Sequence, residues 1–414
     1  MTTTASTAKL DRAVLVVVVA AATVAFVSMG SRQTFGVFLI EMVGDLGTDR
    51  TTYSLALAVQ NLLMGLPIAA VIADKAGHRP VVIVGAVVFA IGMWGTSNLE
   101  SPQGLVTTLG VVAGLGLSAL SLATLLGAVG RVVPMERRTF LFGVITAATS
   151  LGMAAITPLA RLALDNYGWP ASFRLLAASA AIMVVGGLLL PGRDVDAANP
   201  RVDEKLLMVL HKARKNRSYI LLVTGFFVCG FHVAFIAAHL PAFFEDEGLS
   251  GQVAAGAVGI IGLFNIVGSL TFGWLGDRFR KRTLLAILYG ARAVLFTSLL
   301  LVPINNVVAL LFPAAMGFVW LATAPLTSST VAHLFGSRYM TSLYAVVFFS
   351  HQVGAFLGVY LGGVLFDTTG SYDIVWMLAI GLAVFAAFVH WPIDDAGPGV
   401  DEQRSFETVL GVQE

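Results

Sequence analysis

The sequence predicts an all-α membrane protein in which twelve transmembrane helices form two pseudo-symmetric six-helix bundles. Hydrophobic residues make up 57% of the 414 residues and charged residues only 12%, with a mean hydropathy of +0.85. Apolar segments recur along the chain, each close to the roughly 20 residues that cross a bilayer as a helix. A short charged motif occurs twice, 203 residues apart, which indicates an internal repeat.

Twelve apolar segments can be delimited, six in each half of the chain. They lie near 13–40, 52–73, 80–98, 103–130, 139–164 and 171–191, and near 219–244, 252–276, 283–303, 307–334, 342–366 and 373–391. We therefore expect an N-terminal six-helix bundle at 1–191, a basic cytoplasmic linker at 192–218, a C-terminal six-helix bundle at 219–391 and a disordered cytoplasmic tail at 392–414.

The positive charges predict the orientation. If both termini are cytoplasmic, that side receives 20 of the 25 Lys and Arg residues, as the positive-inside rule requires. Lys9 and Arg12 before an apolar stretch resemble a signal peptide, but the apolar run continues to about Ile40, which is too long for a signal core. We interpret it as the first transmembrane helix and expect a multi-pass plasma membrane protein, located in the inner membrane of a bacterium.

The composition also limits the chemistry. The net charge of +1 implies nothing about nucleic acid, because topology places the charges, and we expect no nucleic-acid partner. The single cysteine, Cys229, permits no intrachain disulfide. Neither acidic nor cysteine co-ligands accompany the histidines of the apolar segments, so we expect no metal and no cofactor.

The repeated motif is Gly-Trp-Leu-Gly-Asp-Arg-Phe-Arg-Lys-Arg at 273–282, with a degraded copy, Ala-Asp-Lys-Ala-Gly-His-Arg-Pro, at 73–80. Each copy follows the second apolar segment of its half. The motif resembles the G-x-x-x-D-R-x-x-R/K-R signature of the major facilitator superfamily, found in the loops after helices two and eight; the first copy has Ala70 in place of the leading Gly. The resemblance implies a conformational gate formed by Asp74, Arg79, Asp277, Arg278 and Arg282, in which Asp277 caps a helix or pairs with Arg278.

The resemblance covers nearly the whole chain and is closer to the oxalate–formate antiporter and monocarboxylate porter branch. Its carriers are Arg-Gln-Thr-Phe-Gly-Val-Phe-Leu at 32–39, Asp-Leu-Gly-Thr-Asp-Arg-Thr at 45–51, Arg-Arg at 137–138 with Gly143 and Thr-Pro-Leu at 157–159, Tyr-Gly-Trp at 167–169, and Ser-His-Gln at 350–352 with Gly354. The fifth segment lacks the G-x-x-x-G-P-x-x-G run of proton-coupled drug antiporters, which disfavours drug efflux.

Arg32 is a candidate substrate-binding residue. It lies in the first segment, and the resemblance implies that the first, fourth, seventh and tenth helices line the central cavity. A guanidinium there can bind a carboxylate through two parallel hydrogen bonds. The alternative is an arginine that snorkels outward or pairs with Glu41 or Asp45.

The other candidate substrate-binding residues lie within apolar segments and carry no fixed charge: His232, Asn265, His351 and Gln352. His232 and His239 share one helical face, and for His239 we prefer a structural role. Because histidine titrates near neutral pH, we expect any proton coupling to depend on His351 ahead of His232. Oxalate–formate antiporters resemble one another in carrying an arginine in helix eight and a lysine in helix eleven. This chain has Asn265 in helix eight and His351 with Gln352 in helix eleven. We therefore do not expect two fixed positive charges that clamp a dianion.

Arg292 lies near the centre of the ninth segment. A charge at that depth cannot easily reach either surface, so we expect it to point inward and to hydrogen-bond backbone carbonyls or a neighbouring helix. A structural role is the favoured interpretation, with a functional role left open.

These observations predict a secondary transporter, acting as a monomer in the lipid bilayer, that moves a small organic anion, a monocarboxylate, by alternating access, with proton coupling or exchange. The alternative is efflux or uptake of another small amphipathic metabolite, drug or vitamin. An intramembrane enzyme is disfavoured, because the polar residues at depth offer no nucleophile with a base and an orienting group.

Overall fold

A computed structural model describes residues 12–66, 68–133, 135–192, 204–335 and 340–394. Residues 193–203 of the predicted basic linker and 395–414 of the predicted disordered tail lie outside the described residues, as does the side chain of Asp74. All regular elements within the described ranges are helices.

The first half contains transmembrane helices α1 to α6. They are α1 at Arg12–Asp45, α2 at Arg50–Met64 and Ile68–Ala76, α3 at His78–Thr96, α4 at Pro102–Gly130, and α5 and α6 within the continuous span Met135–Leu188. The backbone turns between α5 and α6 at Gly168, whose φ of 74° favours glycine. A short helix, Glu204–Ala213, follows in the linker.

The second half contains α7 to α12. They are α7 at Arg217–Asp246, α8 at Gly251–Gly276, α9 at Lys281–Leu301, α10 at Val308–Phe318 and Thr323–Phe335, α11 at Met340–Thr369 and α12 at Asp373–His390. In the described residues, ten helical spans are long and apolar enough to cross a membrane. The ten correspond to the twelve predicted helices, because α5 and α6 count as one span and α2 is split in two.

The helix starts follow from local sequence. Asp49 caps α2, and its carboxylate accepts a hydrogen bond from the backbone N–H of Thr52 at 2.7 Å. The hydrogen bonds from Thr52 lower the pKa of the Asp49 carboxyl below its usual value. Asn216 and Ser250 cap α7 and α8 in the same way. These three helices therefore begin where short polar side chains satisfy a free N–H group.

Each half has its own apolar core, one built around residues 18–190 and the other around residues 209–393. Large apolar side chains also point outward, away from both cores; examples are Leu270, Val294 and Phe388. An apolar exterior of this kind is expected for helices surrounded by lipid.

The repeat predicted from the charged motif extends to individual contacts. The Nε of Arg79 donates to the carbonyl of Leu190 at 3.0 Å, joining the start of α3 to the chain after α6. In the second half, Nη1 of Arg282 donates to the carbonyl of Ile393 at 3.1 Å, joining the start of α9 to the chain after α12. Donor and acceptor are each displaced by the same 203 residues, so the two halves share one structural plan.

The two halves touch mainly on one side of the membrane, which we term the closed face. There α2 packs against α11 and α5 against α8. The backbone of α1 comes so near α7 that a Cβ at Gly36 would lie 2.7 Å from the carbonyl oxygen of Ala238. Every hydrogen bond between the halves in the described residues lies between this face and mid-depth, where Gln352 bonds Asn61 and Asn265 bonds Ser150. The halves are therefore joined from the closed face inward.

Candidate functional site

Arg32 lies at a cavity between the two halves. The cavity is narrow, with a volume of about 20 Å³, and four helices line it: α1 and α2 from the first half, α7 and α11 from the second. The polar lining residues are Arg32, Gln33, Gln60 and Asn61, and the apolar ones are Phe35, Gly36, Leu57, Ala234, Ala237, Ala238 and Val359. Arg32 is the one charged side chain in this described lining.

Arg32 has a neutral partner. Its Nη2 donates to the side-chain oxygen of Asn61, and its Nε is buried with no hydrogen-bond partner among the described residues. The carboxylates considered as partners are engaged elsewhere. Glu41 lies 3.7 Å from the guanidinium of Arg161, and Asp45 accepts a hydrogen bond from Trp169 at 2.8 Å. The pairing of Arg32 with Glu41 or Asp45, the alternative from the sequence, is therefore absent here.

Asn61 connects Arg32 to the second half of the molecule. Its amide nitrogen donates to the carbonyl of Leu57 at 2.7 Å, which turns its side-chain oxygen toward Arg32. The side chain of Gln352, on α11, donates to the backbone carbonyl of Asn61 at 2.7 Å, and its own oxygen lies 2.9 Å from Nδ1 of His351. Hydrogen bonds through Asn61 thus connect three of the predicted site residues, Arg32, Gln352 and His351.

His351 is held by aromatic rings as well as by Gln352. Its imidazole stacks on Phe348 with ring centroids 5.7 Å apart and packs against Phe226 at 4.9 Å. Its position next to Gln352, which contacts the first half, is compatible with the predicted role. That role in proton coupling stays a prediction.

Two predicted substrate-binding residues lie away from this lining. His232 is fully buried in the second half, where its Nε2 is 3.0 Å from the carbonyl of Ala379 and its ring meets Phe296 edge-on. Asn265 bonds the hydroxyl of Ser150 at 2.9 Å and accepts from the N–H of Leu321 at 3.1 Å. In this conformation, these two residues do not join Arg32 and Gln352 at one site.

Arg292 points into the second bundle, as the sequence predicted. Its Nη2 donates to the carbonyls of Val319 and Trp320 at 2.8 and 2.5 Å, in the interval 319–322 between the two parts of α10. Helix C-terminal carbonyls have no partner within their own helix, and a cation there also compensates the helix dipole. Arg292 therefore stabilises the interruption of α10.

The closed face is held by two arginines from the first half. Arg50 binds both carboxylate oxygens of Asp246, at 2.6 and 2.8 Å, and its guanidinium lies 3.6 Å from the ring centre of Phe366. Arg161 contacts both oxygens of Glu245, at 3.0 and 3.1 Å. Neighbouring carboxylates at the end of α7 thus each bind an arginine of the other half. The pair of Arg50 with Asp246 is bidentate, with two parallel bonds, and such pairs are geometrically specific.

His239 lies beneath this face. Its Nδ1 is 3.0 Å from the hydroxyl of Tyr372 and its Nε2 is 2.9 Å from the carbonyl of Val359. Both nitrogens are therefore satisfied, as expected for the structural role that the sequence favoured. The contact with Tyr372, which is also bound by Arg50, could not be anticipated because it depends on the packing of α2, α7 and α12.

The charged motif after α8 is open to solvent. Asp277 is exposed, and its carboxylate forms no hydrogen bond or ion pair with any residue that the structure describes. Arg278 instead lies 3.7 Å from the ring centre of Trp274, and Arg282 bonds the carbonyl of Ile393. The predicted capping or pairing by Asp277 is thus not present in this conformation, in which Arg278 lies against the indole ring. In the first copy, Arg79 bonds Leu190.

Sequence analysis missed Asn61 and Gln60 in the cavity. Both are polar residues within the second apolar segment, and both are buried: Gln60 donates to the carbonyl of Leu109 at 2.9 Å. The signal was the adjacent pair of amides at membrane depth, since buried polar side chains in membrane helices require partners.

The chain matches a family model described as the Major Facilitator Superfamily over residues 21–359. A relative in Rattus norvegicus, monocarboxylate transporter 13, is 28% identical over 364 residues, covering 84% of this chain and 82% of that protein. The uncharacterized MFS-type transporter YcxA of Bacillus subtilis (strain 168) is 24% identical over 402 residues, covering 91% and 93% of the two chains.

Solved structures share the fold at low sequence identity. The nucleoside transporter NupG aligns with a TM-score of 0.75 and 14% identity, covering 91% of this chain and 99% of that chain. A D-xylose-proton symporter aligns with a TM-score of 0.69 and 16% identity, covering 92% and 97%.

The family model spans most of the chain, and the two bundles of apolar helices have the same architecture as these transporters. The chain belongs to the Major Facilitator Superfamily and is a multi-pass membrane transporter of a small molecule.

Proposed function

We propose that the protein transports a small organic anion, a monocarboxylate, by alternating access, and that Arg32 binds the carboxylate. One observation carries the proposal: Arg32 faces a cavity between the halves without a carboxylate partner among the described residues. A charge at membrane depth costs about 2.5–3.5 kcal/mol on insertion scales, so an anion that enters the cavity is stabilised strongly. The free N–H groups of the guanidinium suit the two oxygens of a carboxylate.

The cavity favours a small monoanion. In this conformation the cavity has a volume of about 20 Å³, enough for one water molecule, so a small substrate needs the least further opening between the halves. Arg32 is the one cation in the described lining, so a second carboxylate would be desolvated without a partner. The apolar residues, including Phe35 and Leu57, suit a short hydrocarbon portion. The name of the rat relative, monocarboxylate transporter 13, supports the same substrate class.

The orientation proposed from the sequence places the closed face outside. Arg50, Arg161 and Arg174 lie on the side of the closed face, whereas the charged motifs and the basic linker helix lie at the other ends of the helices. Under the positive-inside rule, both termini are then cytoplasmic, and the conformation described above is closed to the outside. The membrane is the plasma membrane, which in a bacterium is the inner membrane.

Alternating access then requires two changes. Opening the outside must break the pairs Arg50–Asp246 and Arg161–Glu245. Closing the cytoplasmic side would bring the charged loops after α2 and α8 to the opposite half, where Asp277 could find the partner that it lacks here. Gln352, which joins α11 to Asn61, connects the carboxylate-binding residues to this movement.

The test is uptake into proteoliposomes that contain the purified protein. Labelled mono- and dicarboxylates are compared, with and without a pH gradient, and Arg32→Ala serves as the matched control. We expect uptake of one or more monocarboxylates, weaker uptake of dicarboxylates and no uptake by the control. Stimulation by an inward proton gradient indicates symport, and stimulation by internal anion indicates exchange. Transport of a neutral compound that no monocarboxylate inhibits, at a rate unchanged in Arg32→Ala, would contradict the proposal.

A further inference from the structure

His239 is connected by hydrogen bonds to the ion pair that holds the closed face. The side chain is fully buried on α7, where it contacts α2, α11 and the residue before α12. Its Nδ1 is 3.0 Å from the hydroxyl of Tyr372, which accepts a hydrogen bond from Nη1 of Arg50 at 2.9 Å. The same Nη1 also donates to Asp246 at 2.6 Å.

The partners determine where the protons lie. The carbonyl of Val359 can only accept, so Nε2 of His239, at 2.9 Å, carries a hydrogen. The hydroxyl oxygen of Tyr372 already accepts from Arg50, so its own hydrogen is free for Nδ1 of His239. This arrangement satisfies every donor and acceptor when the imidazole is neutral.

The charged groups around His239 come from three helices. Arg50, on α2, is the cation; Asp246, on α7, binds it with both oxygens. Asp367, on α11, accepts from the backbone N–H groups of Arg50 and Thr51, at 3.2 and 2.7 Å. The other titratable neighbour is Tyr372. Both carboxylates are thus bound by other groups, and neither contacts the imidazole among the described residues.

We propose that His239 is a protonation site whose occupation opens the closed face. A proton on Nδ1 turns this acceptor into a donor. The oxygen of Tyr372 would then face two donors, the imidazolium and Arg50, and its own hydrogen would lose its acceptor. The bond between His239 and Tyr372 would therefore reverse its direction, leaving the hydrogen of Tyr372 without an acceptor and bringing two cations toward one phenol oxygen. When the halves separate here, water can solvate both cations.

The direction of the effect follows from linkage. Because the open conformation tolerates the imidazolium better, it binds the proton more tightly, and acidification raises its population. If the open conformation binds the proton about ten times more tightly, the open-to-closed ratio rises by up to the same factor. Because water reaches the imidazole in the open conformation, the response begins as the pH falls through about 6.5, the ordinary pKa of histidine, and continues below it.

The experiment measures the distance between the halves at this face without any substrate. Spin labels are attached to cysteines introduced at Asn166 and Thr368, which are exposed at the ends of α5 and α11, in a Cys229→Ala background. Distance distributions by pulsed electron paramagnetic resonance are compared in lipid nanodiscs at pH 8 and pH 5.5. We expect a longer-distance population that grows on acidification, by up to about tenfold in its ratio to the short one.

The matched variants are His239→Gln and His333→Gln. Glutamine keeps a neutral donor and acceptor at position 239, so this variant should keep its pH 8 distribution at pH 5.5. His333 is exposed near the other end of α10, and its replacement should leave the response intact. A distance distribution that does not change with pH in the parent protein overturns the proposal, as does a response that persists in His239→Gln.

Tyr372→Phe provides a second variant should His239→Gln fold poorly. Without the hydroxyl, Nδ1 of a protonated His239 has no acceptor in the closed conformation, so the pH response should be at least as large as in the parent protein. A smaller response would contradict the assignment. Because no anion is present, failure here leaves the proposed carboxylate site untouched, and failure of the uptake test leaves this result valid.

Discussion

At the scale of single residues, Arg32 could be selected from the sequence because a charge within an apolar segment needs a partner. Its partner could not be selected. Asn61 is 29 residues away, and its side-chain oxygen reaches Arg32 only because α1 and α2 are packed together and because its amide nitrogen bonds Leu57. A neutral partner leaves the charge of Arg32 uncompensated, which is the property that an anion-binding site requires.

The change Asn61→Asp tests whether binding requires that Arg32 has no negatively charged partner in the protein. An aspartate at 61 would pair with Arg32 inside the protein and compete with the carboxylate of the substrate. We expect binding of a transported monocarboxylate to weaken by about tenfold or more, equal to ~1.4 kcal/mol. Thermal stability should be unchanged or higher, because a buried cation gains a counter-ion. Affinity is measured by titration calorimetry on the purified protein.

The control for this variant is Asn61→Ala, which removes the hydrogen-bond acceptor without adding a charge. Its affinity should fall less than that of Asn61→Asp, since Arg32 keeps its charge free. Equal losses in the two variants, or wild-type affinity in Asn61→Asp, would mean that the carboxylate binds elsewhere.

At the scale of helices, the sequence predicted a continuous tenth segment, whereas α10 is interrupted at 319–322. Arg292 binds the carbonyls at the end of its first part, and Asn265 accepts the N–H of Leu321 before its second part begins. The inward direction of Arg292 followed from the cost of its charge. The interruption did not, because local apolar sequence is compatible with an unbroken helix and the stabilising groups come from α8 and α9.

Arg292→Leu should therefore destabilise the second bundle. Two buried carbonyls would lose their donor, at about 1–3 kcal/mol for each unsatisfied group, and the apparent melting temperature in detergent should fall by several degrees. Arg292→Lys, which keeps one donor group, should lose less. The control is Arg174→Leu, on an exposed residue beside Trp94. A melting temperature in Arg292→Leu equal to that of the control would contradict the structural role.

At the scale of the whole molecule, two bundles of helices could be predicted because composition, segment length and the repeated motif all point to the same architecture. The repeat then reappears in contacts that no motif revealed, such as Arg79 with Leu190 and Arg282 with Ile393. The closed face was beyond prediction. Its pairs join Arg50 to Asp246 and Arg161 to Glu245, residues whose proximity depends on how the two bundles meet.

The proposed orientation makes a separate prediction. Single cysteines at Lys215 and Glu247, both exposed, are introduced in the Cys229→Ala background. In intact cells, a membrane-impermeant maleimide should label the cysteine at 247 and should label the one at 215 only after the cells are permeabilised. Labelling of 215 in intact cells, with 247 protected, would reverse the orientation and place the closed face in the cytoplasm.

The central claim is that Arg32 recognises a carboxylate through its forked guanidinium, and the most direct measurement is the affinity of Arg32→Lys for a transported monocarboxylate. Lysine keeps the positive charge but cannot reproduce two parallel hydrogen bonds. Hydrogen bonds to charged groups contribute about 1.5–3 kcal/mol, so we predict binding about 10–100-fold weaker in a variant that expresses and melts normally. Near wild-type affinity in such a variant would contradict the account, because Arg32 would then be structural and the anion would bind elsewhere.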